Sequence, residues 1–480
     1  MQVRSFIRRG HELANVEVEL SLSPGLPQIL FLGLPDTGLK ESALRIRSAL
    51  REQGFRMPQA HQILVHLKPT HLRKSSRGLD LAVAAALLWE TGQIPKPEGT
   101  VLPTLYGELT LKGQVVRPDD LEEVEWKDDA PFYTGAGPKP LPFSSFVLKD
   151  LQMLVEPDFV KGRSEEINWL RPSARAPTFT SRAAELAQVI SAGEHATLVA
   201  GNPGSGKSTL MDSIASWIEA PRASDIKQIK RSDRLQGQET LWRPVGRPHH
   251  SITSLAMIGG GSNLWSGEIT RAHGGVLILD EMLEFNSSIQ DALREPVENG
   301  TISIARSGQQ KTFPARILLL ATTNLCPCGN LSPKEQVSRC RCPKRVRRQS
   351  LSRLTGPFVD RFAIFSLTED WNEKGTKTVS SIEIQRRVAG AIEFRKKVRS
   401  QEFPNACAIP NDIEKDLTEF QRAQILDAQN FASRRRRDST LRVARTLADL
   451  RTSERVSNDD LERSVDLCVR THRQLEAWQD

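Results

Sequence analysis

The chain has 480 residues, with 66 Lys+Arg against 58 Asp+Glu and a formal net charge of +8. That length implies several domains with ample core, and 38% hydrophobic with 26% charged residues excludes a disordered or fibrous chain. The longest apolar run, Leu81 to Trp89, falls short of the ~18 residues a membrane span needs. No apolar segment follows Arg4, Arg8 and Arg9 to form a secretory signal. Six cysteines do not make a disulfide framework, so the expectation is a reduced, cytoplasmic protein with no membrane partner. The mild basic excess permits nucleic-acid binding without arguing for it.

In chain order, Val16, Val18 and Leu20 alternate with Glu17 and Glu19, which predicts a strand. Leu39, Ala43, Ile46 and Leu50 fall at helical spacing, and Gly54 stops that segment. Ile63 to Leu67 reads as another strand and Leu79 to Trp89 as a buried helix, so residues 1–165 are expected to form an α+β domain. Prolines 138, 140, 142, 172 and 177 loosen the next stretch, and an interdomain linker is placed at 166–180. Residues 181–370 alternate helix with short apolar strands, Thr197–Ala200, Val276–Leu279 and Ile317–Ala321, which implies a parallel sheet covered on both faces. Residues 378–480 read as helical, with Ser457 and Asp460 forming a capping box. The fold class is α/β multidomain.

Gly201-Asn202-Pro203-Gly204-Ser205-Gly206-Lys207-Ser208, followed by Thr209, fits G-x-x-x-x-G-K-[ST] between a strand and the apolar-periodic segment Leu210 to Trp217. The glycines let backbone N–H groups converge on phosphate oxygens, and the helix N-terminus adds positive potential. Lys207 is expected to reach the phosphates of ATP and Ser208 to hold Mg²⁺. Asp280 and Glu281 end an apolar strand; Asp280 is expected to serve Mg²⁺ and Glu281 to activate the attacking water. Asn324 ends a third strand, where it can contact the γ-phosphate or that water.

Cys326-Pro-Cys328 and Cys340-Arg-Cys342 offer four thiolates that could close tetrahedrally on one Zn²⁺; the alternative is four reduced cysteines on a loop. Cys407 and Cys468 are read as core thiols. Arg339, Arg341, Lys344, Arg345, Arg347, Arg348 and Arg353 form an acid-free run that could neutralise phosphates or simply face solvent. Arg434–Arg437 is a second such run. Alternation around a glycine tip between Val297 and Pro314 predicts a hairpin whose tip carries Arg306, Gln309, Gln310 and Lys311, candidates for DNA contact.

The chain resembles the YifB/ComM family of magnesium-chelatase-like AAA+ ATPases along nearly its whole length. The resemblance rests on Val16-Glu17-Val18-Glu19, Pro24-Gly25-Leu26-Pro27, Gly33-Leu34-Pro35-Asp36, Lys40-Glu41-Ser42 and Gly78-Leu79-Asp80-Leu81 near the N-terminus. Further on it rests on Arg247-Pro248-His249-His250, Gly259-Gly260-Gly261-Ser262-Asn263, Gly267-Glu268-Ile269, Leu279-Asp280-Glu281 and Asp291 to Pro296. Cys326-Pro327-Cys328-Gly329, Gly356 to Arg361 and Val443 to Leu450 complete it.

The resemblance implies a Lon-protease-like N-terminal domain without protease chemistry, an AAA+ core and a C-terminal helical lid. It implies a homo-hexameric ring with nucleotide at subunit interfaces. Arg361 would be an arginine finger supplied to the neighbouring subunit, and Arg435 a second sensor contacting nucleotide from its own lid. Some members of the family are helicases that drive branch migration during natural transformation. The expected function is therefore an ATP-hydrolysing motor acting on single-stranded or branched DNA. The alternatives are a chelatase-type motor that remodels a protein partner, and an ATP-dependent protease, for which no suitably flanked serine nucleophile is found.

Overall fold

In the computed structural model the described residues are 1–9, 12–32, 37–69, 78–97, 101–119, 121, 126, 130–138, 140–163, 169–172, 177–236, 239–260, 265–306, 309–331, 340–354, 358–371, 377–426 and 433–473. The chain divides into two compact units, Met1–Asn168 and Trp169–Asp480.

Period-2 burial organises the first unit. In β4 (His61–Lys68) Ile63, Val65 and Leu67 are buried while their neighbours are partly exposed. It pairs antiparallel with β2 (Glu12–Pro24), which pairs antiparallel with β1 (Gln2–Arg9). With β3 (Ile29–Leu32), β5 (Thr104–Leu105), β6 (Phe132–Gly135), β7 (Ser145–Leu148) and β8 (Asp158–Val160), these strands make a mixed sheet in the order β8-β7-β6-β5-β1-β2-β4-β3. Two helices serve its core, α1 (Thr37–Glu52) and α2 (Leu79–Glu90). Every residue of α2 but Glu90 is buried, which is why its sequence is apolar throughout rather than striped. Asp80 is carried inside with it and is bound by Arg45 at 2.8 Å. Burial raises the pKa of Asp80 against the opposing pull of that guanidinium.

The second unit is built on β11 (Val245–Gly246), β12 (Val276–Leu279), β15 (Leu318–Thr323), β10 (Thr197–Ala200) and β16 (Ile364–Leu367), side by side in that order and all parallel. β10, β12, β15 and β16 are buried along their whole length, as expected of a parallel sheet layered on both faces. One layer packs Val199, Ile278, Leu320 and Ile364 against α3 (Ser181–Gly193) and the Leu210, Met211, Ile214 and Trp217 side chains of α4 (Lys207–Trp217). The other packs Leu198, Leu277, Leu279, Leu319 and Phe365 against Met257, Ile269, Phe285 and Leu293.

Some boundaries differ from expectation. Within the stretch read as a linker, Thr178–Thr180 forms β9, which pairs with β17 (Thr378–Ser380) and buries Phe179 in the second unit. The C-terminal region therefore opens on a strand before its helices α7 (Ser381–Lys397), α8 (Arg434–Leu450) and α9 (Asn458–Val465). Ser457 and Asp460 cap α9 reciprocally. The hairpin segment begins as helix α5 (Arg294–Asn299), and the paired strands are β13 (Thr301–Arg306) and β14 (Gln309–Pro314).

Candidate nucleotide site

Parallel register places the chemistry at one edge. Ala200 pairs with Thr323 and Leu279 with Ala321, so the residues that follow these strands emerge together at their C-terminal ends. Gly201 leaves β10 where any Cβ would overlap the Thr368 hydroxyl. Gly204 and Gly206 take φ of +73° and +88°, a conformation that only glycine adopts without strain, and Gly206 opens α4. The loop thus ends at a helix N-terminus, where backbone N–H groups and the helix dipole favour phosphate.

Lys207 is the first residue of α4. Its Nζ donates to the carbonyls of Gly201 and Asn202, each at 2.8 Å, and to Asn324 Oδ1 at 3.3 Å. Burial lowers its pKa, against the pull of Asp280 and Glu281. Ser208 Oγ donates to Asp280 Oδ2 at 3.3 Å. Thr322 holds the other oxygen of Asp280 through its hydroxyl, and that hydroxyl accepts the Glu281 backbone N–H at 3.3 Å. Glu281 sits at φ +54°, in the left-handed region. It is 56% exposed, and His250 Nδ1 lies 3.8 Å from it. A serine hydroxyl and a carboxylate held together suit a hard cation such as Mg²⁺, which takes oxygen ligands. Asn202 Oδ1 is buried without a hydrogen-bond partner, consistent with a loop shaped for a polar ligand.

Arg361 and Arg435 lie elsewhere. Residues Val359–Arg361 precede β16, and Ile364 of β16 pairs with Thr197 at the start of β10. Arg361 therefore sits beyond the N-terminal edge of the sheet, whereas the phosphate loop lies beyond the C-terminal edge, about 10 Å of strand away. Arg361 Nη2 donates to Glu298 Oε2 at 3.1 Å. Arg435 binds the other oxygen of Glu298 and reaches Asp360 at 3.3 Å. The expectation is that Arg435 contacts nucleotide from its own lid; here its guanidinium is held by Glu298 and Asp360. The arginine run it belongs to is not a solvated face either. Arg436 is buried, donates to the carbonyl of Phe362 at 2.8 Å and stacks 4.4 Å over Phe365, and Arg437 pairs with Glu414.

The four clustered cysteines converge. Cys326 Sγ is 3.3 Å from Cys328 Sγ and 3.5 Å from Cys340 Sγ, Cys328 Sγ is 3.6 Å from Cys340 Sγ, and with Cys342 all four sulfurs lie within 4.8 Å of one another. This cluster could hold a metal ion. Cys468 is a core thiol, its pKa pushed up to about 12 by burial, but Cys407 is exposed, contrary to expectation, on a short turn at 405–407.

Of the DNA candidates, Gln310 is exposed and the Lys311 ammonium lies 5.0 Å over the Phe313 ring. Arg306 and Gln309 close the ladder as paired residues, but their side chains, and the turn at 307–308, lie outside the described residues, as does Arg339. Lys344, Arg345 and Arg348 are exposed on α6 (Lys344–Ser352).

Sequence reasoning missed Thr322, Thr368, His250 and Glu298. His250 stood in a quoted motif, but its proximity to Glu281 depends on the path of the two helices and three strands between them. The other three are ordinary residues whose partners are distant in sequence, and they carried no local signal.

Three family models match the chain: "Magnesium chelatase, subunit ChlI" over residues 178–375, "Subunit ChlI of Mg-chelatase" over 18–124, and "Magnesium chelatase, subunit ChlI C-terminal" over 378–467. The chain is 30% identical to the uncharacterized protein YifB of Salmonella typhimurium, over 94% of this chain and 93% of that protein. It is 28% identical to the competence protein ComM of Haemophilus influenzae, over 92% of each. A shorter match, 28% identical over 39% of this chain and 24% of the other, joins it to a probable DNA helicase MCM9 of Oryza sativa subsp. indica. A glycine-lined phosphate loop beside an Asp-Glu strand end, in a chain matched over 94% of its length by YifB and 92% by ComM, places the protein in the YifB/ComM family of magnesium-chelatase-like AAA+ ATPases.

Proposed function

We propose that this protein is an ATP-hydrolysing ring motor that acts on DNA. The observation that carries the reading is the division of its charged groups between opposite sheet edges. Lys207, Ser208, Asp280, Glu281 and Asn324 gather at one edge, while Arg361 and Arg435 gather on Glu298 at the other. A monomer thus has a phosphate site without its arginines. A head-to-tail ring would bring the arginine edge of one copy to the phosphate edge of the next.

In this reading Lys207 exchanges its loop carbonyls for phosphate oxygens, and the loop's N–H groups cradle the rest. Ser208 and Asp280 would hold Mg²⁺, which when bound neutralises charge on the transferring phosphoryl group. Glu281 accepts a proton from the attacking water, and Asn324 orients it. The neighbour's Arg361 and Arg435 supply positive charge where negative charge develops. Hydrolysis is then tied to assembly.

DNA as the track is supported by the names of the relatives, a competence protein and a probable DNA helicase, and by the exposed cations of α6. The magnesium-chelatase family models favour a second reading, a motor that remodels a protein partner. ATP turnover measured at low salt with and without branched or single-stranded DNA separates the two. Stimulation that fades as salt rises supports the first, and turnover indifferent to saturating DNA rejects it.

The first unit is read as a Lon-protease-like domain without peptidase chemistry. Ser42 is buried and its hydroxyl accepts from Arg45, itself committed to Asp80, so neither a free nucleophile nor a base is offered there.

A further inference from the structure

We propose that Cys326, Cys328, Cys340 and Cys342 bind one Zn²⁺ as four thiolates, and that this ion clasps the end of the Asn324 strand and the root of the basic helix α6 against the phosphate loop. The geometry is close to what the ion needs. A Zn–S bond of ~2.3 Å in a tetrahedron sets sulfurs about 3.8 Å apart. The three measured pairs, at 3.3, 3.5 and 3.6 Å, lie slightly inside that spacing, and the fourth sulfur is within reach of all. Sulfur is a weak donor and a weak acceptor, so mutual contact among four thiols offers little by itself to hold two distant C-x-C pairs together. Four thiolates select a soft or borderline cation over Mg²⁺ or Ca²⁺, which take oxygen. On binding, each thiol loses its proton to solvent, and four sulfur–zinc bonds form without any change of oxidation state.

The position of the cluster gives the ion its role. Cys326 comes two residues after Asn324, the group that accepts from Lys207. Gly329, at φ +74°, packs so tightly on the phosphate loop that a Cβ there would lie 2.7 Å from Pro203. Cys342 immediately precedes Pro343, which caps α6, the helix that exposes Lys344, Arg345 and Arg348. One ion therefore ties together a catalytic-site asparagine, the flank of the nucleotide loop and a cationic surface. It is structural with respect to hydrolysis, since its ligands are not among the hydrogen-bond partners of Lys207, Ser208 or Asp280.

The test uses the full chain purified without chelator, and its first readout needs no ATP. Elemental analysis should find one zinc per chain. Exchange for Co²⁺ should give strong visible bands of a tetrahedral thiolate site with an intense near-ultraviolet sulfur-to-metal band. Cys328→Ser with Cys342→Ser should lose the metal and these bands, while Cys407→Ser keeps both. Removing zinc from the wild-type chain with a thiol-directed mercurial and a chelator should weaken binding of a fluorescent ATP analogue, and adding Zn²⁺ back should restore it. A chain with no zinc, with an iron–sulfur absorbance, or with the four cysteines paired as disulfides overturns the site. Zinc retained in the double variant overturns the ligand set, and unchanged nucleotide affinity on removal and return of zinc overturns the clasp.

Discussion

The Lys207 ammonium lies 3.3 Å from Asn324 Oδ1, so the phosphate loop and the third strand end are joined by a charged hydrogen bond. The same ammonium satisfies two loop carbonyls, which keeps a buried cation solvated by protein until phosphate replaces them.

Lys207→Ala removes that cation. With charged hydrogen bonds contributing about 1.5–3 kcal/mol, ATP affinity should fall roughly tenfold to a hundredfold. Isothermal titration with a non-hydrolysable analogue measures it, and unchanged affinity would contradict the site.

Glu281→Gln keeps the shape of the side chain and removes the base. Turnover should drop by about 10²–10⁴ while nucleotide still binds. The exposed carboxylate of Glu281, which has His250 at 3.8 Å, means that the fold should not suffer, and an unaltered melting temperature checks this.

Arg361→Ala and Arg435→Ala should each cripple hydrolysis, Arg361→Ala by about 10³ or more. Mixed with Glu281→Gln chains, both should regain activity, because one subunit then contributes an intact Glu281 and its neighbour intact arginines. If Arg435→Ala alone fails to be complemented, that arginine serves its own subunit and the placement at the far edge is not its working one.

Arg436→Ala should be a stability variant rather than a catalytic one. Its guanidinium is buried, paired with Asp360 at 3.1 Å and bonded to the Phe362 and Cys468 carbonyls. Removing it leaves carbonyls unsatisfied, and a loss on the order of 3 kcal/mol in denaturant unfolding is expected.

Acid should weaken the second unit through His195. It is fully buried, bonded to Thr446 at 2.8 Å, and burial lowers its pKa from 6.5 to about 3. The unfolded chain then binds a proton that the folded chain refuses, so stability falls as pH drops below 6.5 and continues falling toward about 3. By about pH 5 the loss is about 2 kcal/mol from this one residue. Unfolding curves of wild type and His195→Gln across that range read it: the variant should lose less stability on acidification.

Local chemistry was written contiguously and could be read directly. The phosphate loop, the Asp280-Glu281 strand end and the all-apolar α2 each carry their signal within a dozen residues, because a loop, a strand or a helix is shaped by near neighbours. Which edge a residue occupies was not readable in this way. Glu298, Asp360 and Arg435 meet across long stretches of chain, and the linker residues Thr178–Thr180 joined a sheet through a partner two hundred residues on. Sequence alone determined that this protein carries a glycine-rich phosphate-loop motif and four cysteines in two close pairs. Only the tertiary structure decided that Arg361 and Arg435 meet on Glu298 and that the four cysteines converge, because contacts between distant segments are chosen by packing that no local pattern connects.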